Sequence, residues 1–168
     1  STLLVTGDTG PMHMSVAVGT PVVAMFLASA FGFETGPYSE GNIVLQPVIG
    51  CGPCNPNKGC AKPDCHETIT PTVLAEITAL RVKEDFKKLP EGLIDPGHLT
   101  VYRTCFDKFG FYDMQPLNSE PDPRMVQFRT AYRKLWLDEL AGFRAESEAR
   151  LNSLKVHDPI EGALALIA

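Results

Sequence analysis

Residues 2–26, "TLLVTGDTGPMHMSVAVGTPVVAMF", constrain the fold more tightly than any other stretch of this chain. A short apolar run, 2–7, ends in the turn Asp8-Thr9-Gly10. Pro11 follows, and proline suits the first helical position because an N–H there has no intrahelical partner. "MHMSVAV" continues the helix for about two turns, and Gly19 is placed to end it. A second apolar run, 20–26, has Pro21 at its entry. Strand, tight turn, helix, strand is a βαβ unit, and its two strands lie parallel in one sheet. The predicted class is therefore α/β.

The rest of the chain divides by composition. Apolar residues make up 44 % and charged residues 21 % of 168, which predicts a packed core. Residues 27–42 read as a loop rich in Gly, Ser and aromatics, and 43–49 as a further edge strand interrupted by Pro47. Residues 51–65 hold too many Cys, Pro and Gly for regular structure. Thr70 and Pro71 read as N-cap and first residue of a helix over 70–89. From Pro90 to Asp122 repeated prolines predict loops and short helical turns. A long amphipathic helix is expected from Pro123 to Leu154, with Phe128, Tyr132, Trp136, Leu140 and Phe143 on its apolar face. A last short helix is expected over 158–168. Two parts follow: 1–89, a parallel α/β part with a Cys-rich loop at 51–65, and 90–168, a helical extension.

Several function classes are disfavoured. A net charge of −5 argues against nucleic acid as a partner. No run reaches the roughly 18 apolar residues of a membrane span. The opening "STLLVTGD" has neither the basic nor the long apolar region of a secretory signal, lacks a starting Met, and enters directly in a strand. It reads as a piece of a longer chain. With no secretory signal, five cysteines point to a reducing compartment, the cytoplasm.

The turn itself has the makings of an anion site. Ligands of parallel sheets bind beside the carboxyl ends of strands. Gly7 and Gly10 let the backbone turn tightly. The N–H groups of Thr9, Gly10, Met12 and His13 are expected to be free of helical partners and to face a phosphate, aided by the helix dipole. Thr9 adds a hydroxyl and His13 an imidazole, while Asp8 suits a sugar hydroxyl or a backbone N–H. The plainer alternative is an ordinary βα turn in which Asp8 or Thr9 caps the helix.

The segment "DTGPMHMSVAVGTPVVAMF" resembles the D-[ST]-G-x-x-H…A-x-G-T-P-V-V-A-[LM]-F pattern of the family 9 glycosyltransferases, which include the ADP-heptose:lipopolysaccharide heptosyltransferases. "TGPYSEGNIVL" (35–45), the cysteine run from Cys51, and "ITPTVLAEI" (69–77) resemble further family segments in the same order. After Phe26 this chain has Leu27-Ala28-Ser29 where the family usually has Gly-Pro-Thr. The resemblance implies a partial Rossmann-like sheet, the end of the C-terminal domain of a GT-B enzyme. It implies a nucleoside diphosphate sugar of the ADP-heptose type as donor, held at Asp8, Thr9, Gly10 and His13. It implies inverting transfer to a lipopolysaccharide-type glycan or lipid acceptor, with no required cofactor. The catalytic base, an Asp of the N-terminal domain, falls outside this chain, so no catalytic residue is assigned here and the chain alone is expected to be inactive. A cytoplasmic protein, at most peripheral to the inner membrane, fits this role. Exposed edge strands of a partial sheet favour a homo-oligomer.

Cys51, Cys54, Cys60 and Cys65 are close enough in sequence to hold Zn²⁺ or an iron–sulfur cluster, to form disulfides, or to remain free thiols. Glu34, Tyr38 and Glu40 are expected in a cleft-facing loop, solvated, with Tyr38 the one placed to touch a donor. The reading from a different class is a non-enzymatic interaction or metal-binding module acting through the cysteines or the long helix.

Overall fold

The computed structural model describes residues 1–27, 29–51, 54–55, 58–84, 89–107, 109–120 and 123–141. They form two units, 1–120 and a second beginning at Pro121. The first is a five-stranded sheet in the order β1 (Leu4–Gly7), β2 (Val22–Met25), β3 (Ile43–Pro47), β4 (Leu99–Phe106), β5 (Tyr112–Pro116). The first three strands run parallel, with Leu4 opposite Val22 and Val23 opposite Ile43. β4 returns antiparallel, Ile43 opposite Arg103, and β5 pairs antiparallel with β4. The α/β class and the parallel βαβ start agree with the sequence reading; the sheet as a whole is mixed.

Side chains alternate across the sheet, as the two-residue period of a strand requires. Val23, Ile43, Leu45, Leu99 and Val101 face one way and pack under Val73 and Ile77 of the helix α4 (Pro71–Lys83). Val22, Ala24, Val44 and Met114 face the other way, with Phe26 and with Met12 of the helix α1 (Gly10–Ala17). Partly buried Phe33 of the short helix α2 (Gly32–Thr35) joins that layer. Burial on both faces explains why β2 and β3 read as unbroken apolar runs rather than alternating ones. Each fully buried side chain of this size contributes about 1.5–3 kcal/mol.

Local signals hold where they depend on near neighbours. Thr70 caps α4, its hydroxyl accepting from Val73 N–H at 3.3 Å, and Pro71 is the first helical residue. α4 ends at Lys83, short of residue 89, because Glu84 takes the left-handed conformation at φ 55°. Gly19, at φ 75°, follows the end of α1. β1 is less buried than its apolar letters imply, with Val5 39 % exposed, since it pairs on one side with β2 alone among the described residues.

Two larger expectations are corrected. Residues 43–47 are a central strand, not an edge: β2 and β4 flank them, and Pro47 is tolerated at the strand's last position. Within 90–120, where loops and helical turns were expected, the described residues include two strands besides loops and turns. β4 and β5 add two strands, and the sheet-bearing unit runs to Glu120. The hairpin turn explains why: Asp107 accepts from the N–H groups of Phe109 and Phe111 at 2.8 and 2.9 Å, and Gly110 supplies φ 82°.

Asn42, 1 % exposed, ties these strands together. Its Oδ1 accepts from Val22 N–H at 2.9 Å, its amide nitrogen donates to the Ser39 carbonyl and hydroxyl, and its N–H donates to Thr104 Oγ1. In the second unit α5 (Pro123–Ala141) carries Phe128, Tyr132 and Trp136 one turn apart, ring against ring. The rest of the expected helix, to 154, and the one at 158–168 lie outside the described residues. No described helix is long and apolar enough to cross a membrane.

Candidate functional site

Parallel pairing brings the carboxyl ends of β1, β2 and β3 to one edge of the sheet. Three connections leave from that edge: the turn Asp8-Thr9-Gly10, the segment from Phe26 to α2, and the long cysteine-bearing segment after β3. The first two are stitched together. Thr35 at the end of α2 donates its hydroxyl to Asp8 Oδ2 at 3.0 Å, and Gly32 N–H donates to Gln46 Oε1 of β3 at 2.9 Å. α2 packs so closely that a Cβ at Gly32 would stand 2.8 Å from Val44 Cγ1, so glycine is needed for the approach.

Asp8, Thr9, Gly10 and His13 therefore come together at the opening of α1. Thr9 is the N-cap residue, extended at φ −149° and ψ 163°, and its side chain does not cap the helix. The hydroxyl turns back toward Gly7, 3.4 Å from its carbonyl, and toward the Thr6 hydroxyl at 3.2 Å. Thr9 and Gly10 are exposed, so the helix opens onto the surface rather than under other side chains. Asp8 accepts from the Thr35 hydroxyl through one carboxylate oxygen.

The set of free amides is smaller than the spacing predicts. Met12 N–H donates to the Thr9 carbonyl at 3.0 Å, a three-residue bond that tightens the first turn. His13 is the fourth helical residue, and helix geometry assigns its N–H to the intrahelical ladder. The amides of Thr9 and Gly10 are the two that helix geometry leaves without an intrahelical acceptor, at the positive end of the helix dipole. His13 is exposed and offers its ring.

Tyr38 is not at this edge. It stacks on Tyr112 at 5.5 Å and meets Phe106 edge-on at 5.2 Å, past the amino end of β3 and thus at the opposite edge of the sheet. Burial pushes the Tyr112 hydroxyl well above the usual phenol range. Glu34 serves its own helix, accepting from Phe31 N–H at 3.4 Å, and Glu40 is solvated.

A cavity of about 520 Å³ lies between the start of α4 and residues 93–99. Asp64, Glu67, Asp95 and His98 are in its wall. Asp95 sits below the usual carboxylate range, held first by the Gly97 N–H and then by His98 at 2.7 Å. Three carboxylates disfavour a diphosphate there, which leaves the α1 opening as the better anion site of the two.

Cys51, Cys54, Cys60 and Cys65 are free thiols on the segment between β3 and α4. Among the described residues no three His, Cys, Asp or Glu side chains stand in an arrangement ready to hold a metal ion.

Comparison with known proteins agrees with the geometry of the first strands. Residues 1–64 match the family model of glycosyltransferase family 9 (heptosyltransferase). The match takes in the turn, β1 to β3 and three of the four clustered cysteines, and stops short of Cys65 and α4. No curated protein and no solved structure matches the chain. Over residues 1–64, then, this chain is similar to glycosyltransferase family 9 (heptosyltransferase).

Proposed function

We propose that this chain supplies the donor side of an inverting glycosyltransferase of the GT-B type. In this reading the enzyme moves heptose or a related sugar from a nucleoside diphosphate to a lipopolysaccharide-type glycan. The observation that carries it is the exposed, uncapped opening of α1 at the carboxyl end of β1, inside the family-matched segment. The chemistry follows from what such an opening offers. When an acceptor oxygen displaces the diphosphate at the sugar carbon, negative charge builds on the leaving phosphate oxygens. Two amides without an intrahelical acceptor and a helix dipole are fixed donors for that charge and need no metal. The His13 ring is a third donor to the same group. Asp8, held by Thr35, is left to take a sugar hydroxyl. The base that deprotonates the acceptor belongs to another domain of a longer protein, so the 168-residue chain binds donor and transfers nothing.

Gly10 gives a clean test. A Cβ there meets open space, and the residue follows an extended Thr9, so proline fits at this position while removing one amide. Hydrogen bonds to charged groups are worth about 1.5–3 kcal/mol. Gly10→Pro should weaken ADP or ADP-sugar binding about tenfold or more, whereas Gly10→Ala, which keeps the amide, should bind as the parent chain does at equal thermal stability. Calorimetric titration reads both. Equal affinity for the proline and alanine variants removes the amide from the site, and no ADP binding by the parent chain favours the non-enzymatic module.

Turnover divides the roles. Incubated with ADP-heptose and acceptor glycan, the chain alone should release no ADP above background, while a longer protein containing it should turn over. Release by the chain alone overturns the assignment of the base to another domain.

A further inference from the structure

We propose that Arg81 and Arg103 form a binding site for a phosphoryl dianion at the amino edge of the sheet, over the turn at Gly41. The site is independent of the donor reading, which concerns the carboxyl edge. Different elements bring the two arginines together. Arg81 lies in the last turn of α4, and Arg103 lies in β4, opposite Ile43 at the start of β3. Arg103 is two residues from Val101 and so shares its face of the strand, the face that α4 covers. Both guanidinium groups reach Gly41, which turns at φ 77°. A Cβ there would stand 3.8 Å from Arg81 Nη2 and 4.0 Å from Arg103 Nη2. Two nitrogens that close to one point fall within the roughly 8 Å that a single phosphoryl group bridges through two ordinary hydrogen bonds.

The turn beneath them is held by β4. Gly41 N–H donates to the Thr104 carbonyl and Asn42 N–H to the Thr104 hydroxyl, each at 2.9 Å, and that hydroxyl donates to the Ser39 carbonyl. A seat fixed beforehand lowers the ordering cost of binding. The arginines themselves are out of balance. The Arg81 side chain is 13 % exposed, and its Nε is buried without an acceptor. Its ion pair runs through Nη1 to Glu84 at 3.7 Å, and Glu84 is 83 % exposed, so the pair is weak. Nε and Nη2 make up the other edge of the guanidinium, a fork of two parallel N–H groups that matches phosphate. Among the described residues the Arg103 guanidinium has no ion-pair or hydrogen-bond partner, and Glu40, next to Gly41, pairs with neither arginine. A dianion balances both cations and offers an oxygen to each, whereas a carboxylate balances one. Arg103 is exposed, so the gap opens to solvent and admits a phosphoryl group carried on a larger molecule as well as free phosphate. The acid-walled cavity beside α3 (Asp64–Thr68) has the opposite sign and does not compete for this ligand.

An NMR titration of the 168-residue chain with inorganic phosphate locates and measures the site. The amide signals of Gly41 and Arg103 should move together and saturate with about millimolar affinity. Glycerol phosphate should give the same shifts; if it does not while phosphate does, the site stands and its ligand is free phosphate. Acetate should bind at least about tenfold more weakly. Arg103→Gln, an exposed change that leaves the fold intact, should weaken phosphate about tenfold or more, and Arg81→Lys, which keeps the charge but not the fork, should also weaken it. Should Arg81→Lys fail to fold, Arg103→Gln still decides. Shifts confined to the opening of α1, unchanged affinity in Arg103→Gln, or acetate binding as tightly as phosphate would each overturn the proposal.

Discussion

Phe26→Ala should be among the most destabilising single substitutions in the sheet-bearing unit, costing about 3–5 kcal/mol. Phe26 is the largest fully buried side chain among the described residues. It packs with Met12, Val22, Ala24, Val44 and Met114, between α1 and the sheet. Its N–H donates to the Leu45 carbonyl at 2.9 Å, so the backbone is fixed by the strand and cannot slide in to fill the hole. A cavity that cannot collapse keeps its full penalty. For a unit of this size the melting temperature should fall by about 10–20 °C. Phe26→Leu, which leaves most of the volume filled, should lose about a third of that. The loss also reaches the candidate site. Met12 seats α1 against Phe26, so a loosened Met12 lets the opening of α1 drift, and ADP binding should weaken even at temperatures where the variant is folded. Thermal unfolding followed by circular dichroism, with ADP titration at low temperature, measures both. A drop of less than about 3 °C would show that Phe26 is not packed as described.

What the sequence disclosed is what depends on residues close together along the chain. The first strand, turn and helix were legible because Gly7, Gly10, Pro11 and Gly19 each act on their own backbone. Thr70 with Pro71 announced α4 for the same reason. The β4–β5 hairpin was just as local and was still missed. Leu99–Phe106 is rich in β-branched and aromatic residues, and Asp107 and Gly110 bracket the turn, a pattern that marks two strands and a hairpin. The prolines at 90, 96, 116, 121 and 123 outweighed it, though they fall at or beyond the ends of the strands, where proline costs little. Tyr38 failed differently. The connection from β2 to β3 must travel from the carboxyl edge back to the amino edge, because the two strands are parallel. A residue five positions before β3 has already made that journey. At the candidate site, the Asp8–Gly10 turn was visible, but Thr35, which fixes Asp8, lies 27 residues away and is brought in only by the fold. The Met12 amide was lost to a tightened first turn that no spacing rule anticipates.

Asn42→Asp should be as damaging as the loss of Phe26 at neutral pH, although it changes a single group on the side chain and hardly alters its size. The side-chain oxygen that accepts from Val22 N–H survives the exchange. The nitrogen that donates to the Ser39 carbonyl and hydroxyl does not, and an oxygen takes its place 2.9 Å from the carbonyl. At neutral pH that oxygen is charged, almost fully buried, and set against another acceptor. A lost pair of hydrogen bonds together with an uncompensated buried charge costs about 3–5 kcal/mol. Protonation reverses much of this, because a neutral carboxylic acid regains a donor for Ser39. The introduced carboxyl thus has its pKa raised in the folded state above the unfolded value of about 3.9. The folded state then binds the proton more tightly than the unfolded one, so acidification restores stability to the variant. Relative to the parent chain, the deficit should be greatest near pH 7.5 and should shrink steadily toward pH 4. Asn42→Ala should lose about 2–3 kcal/mol with no such pH dependence, since it strands Val22 N–H without adding a charge. Chemical denaturation of the three proteins between pH 4 and 8 separates these outcomes. A deficit for Asn42→Asp that does not change with pH would mean the carboxylate reaches water, and that the seam joining β2, β3 and β4 is held by something other than Asn42.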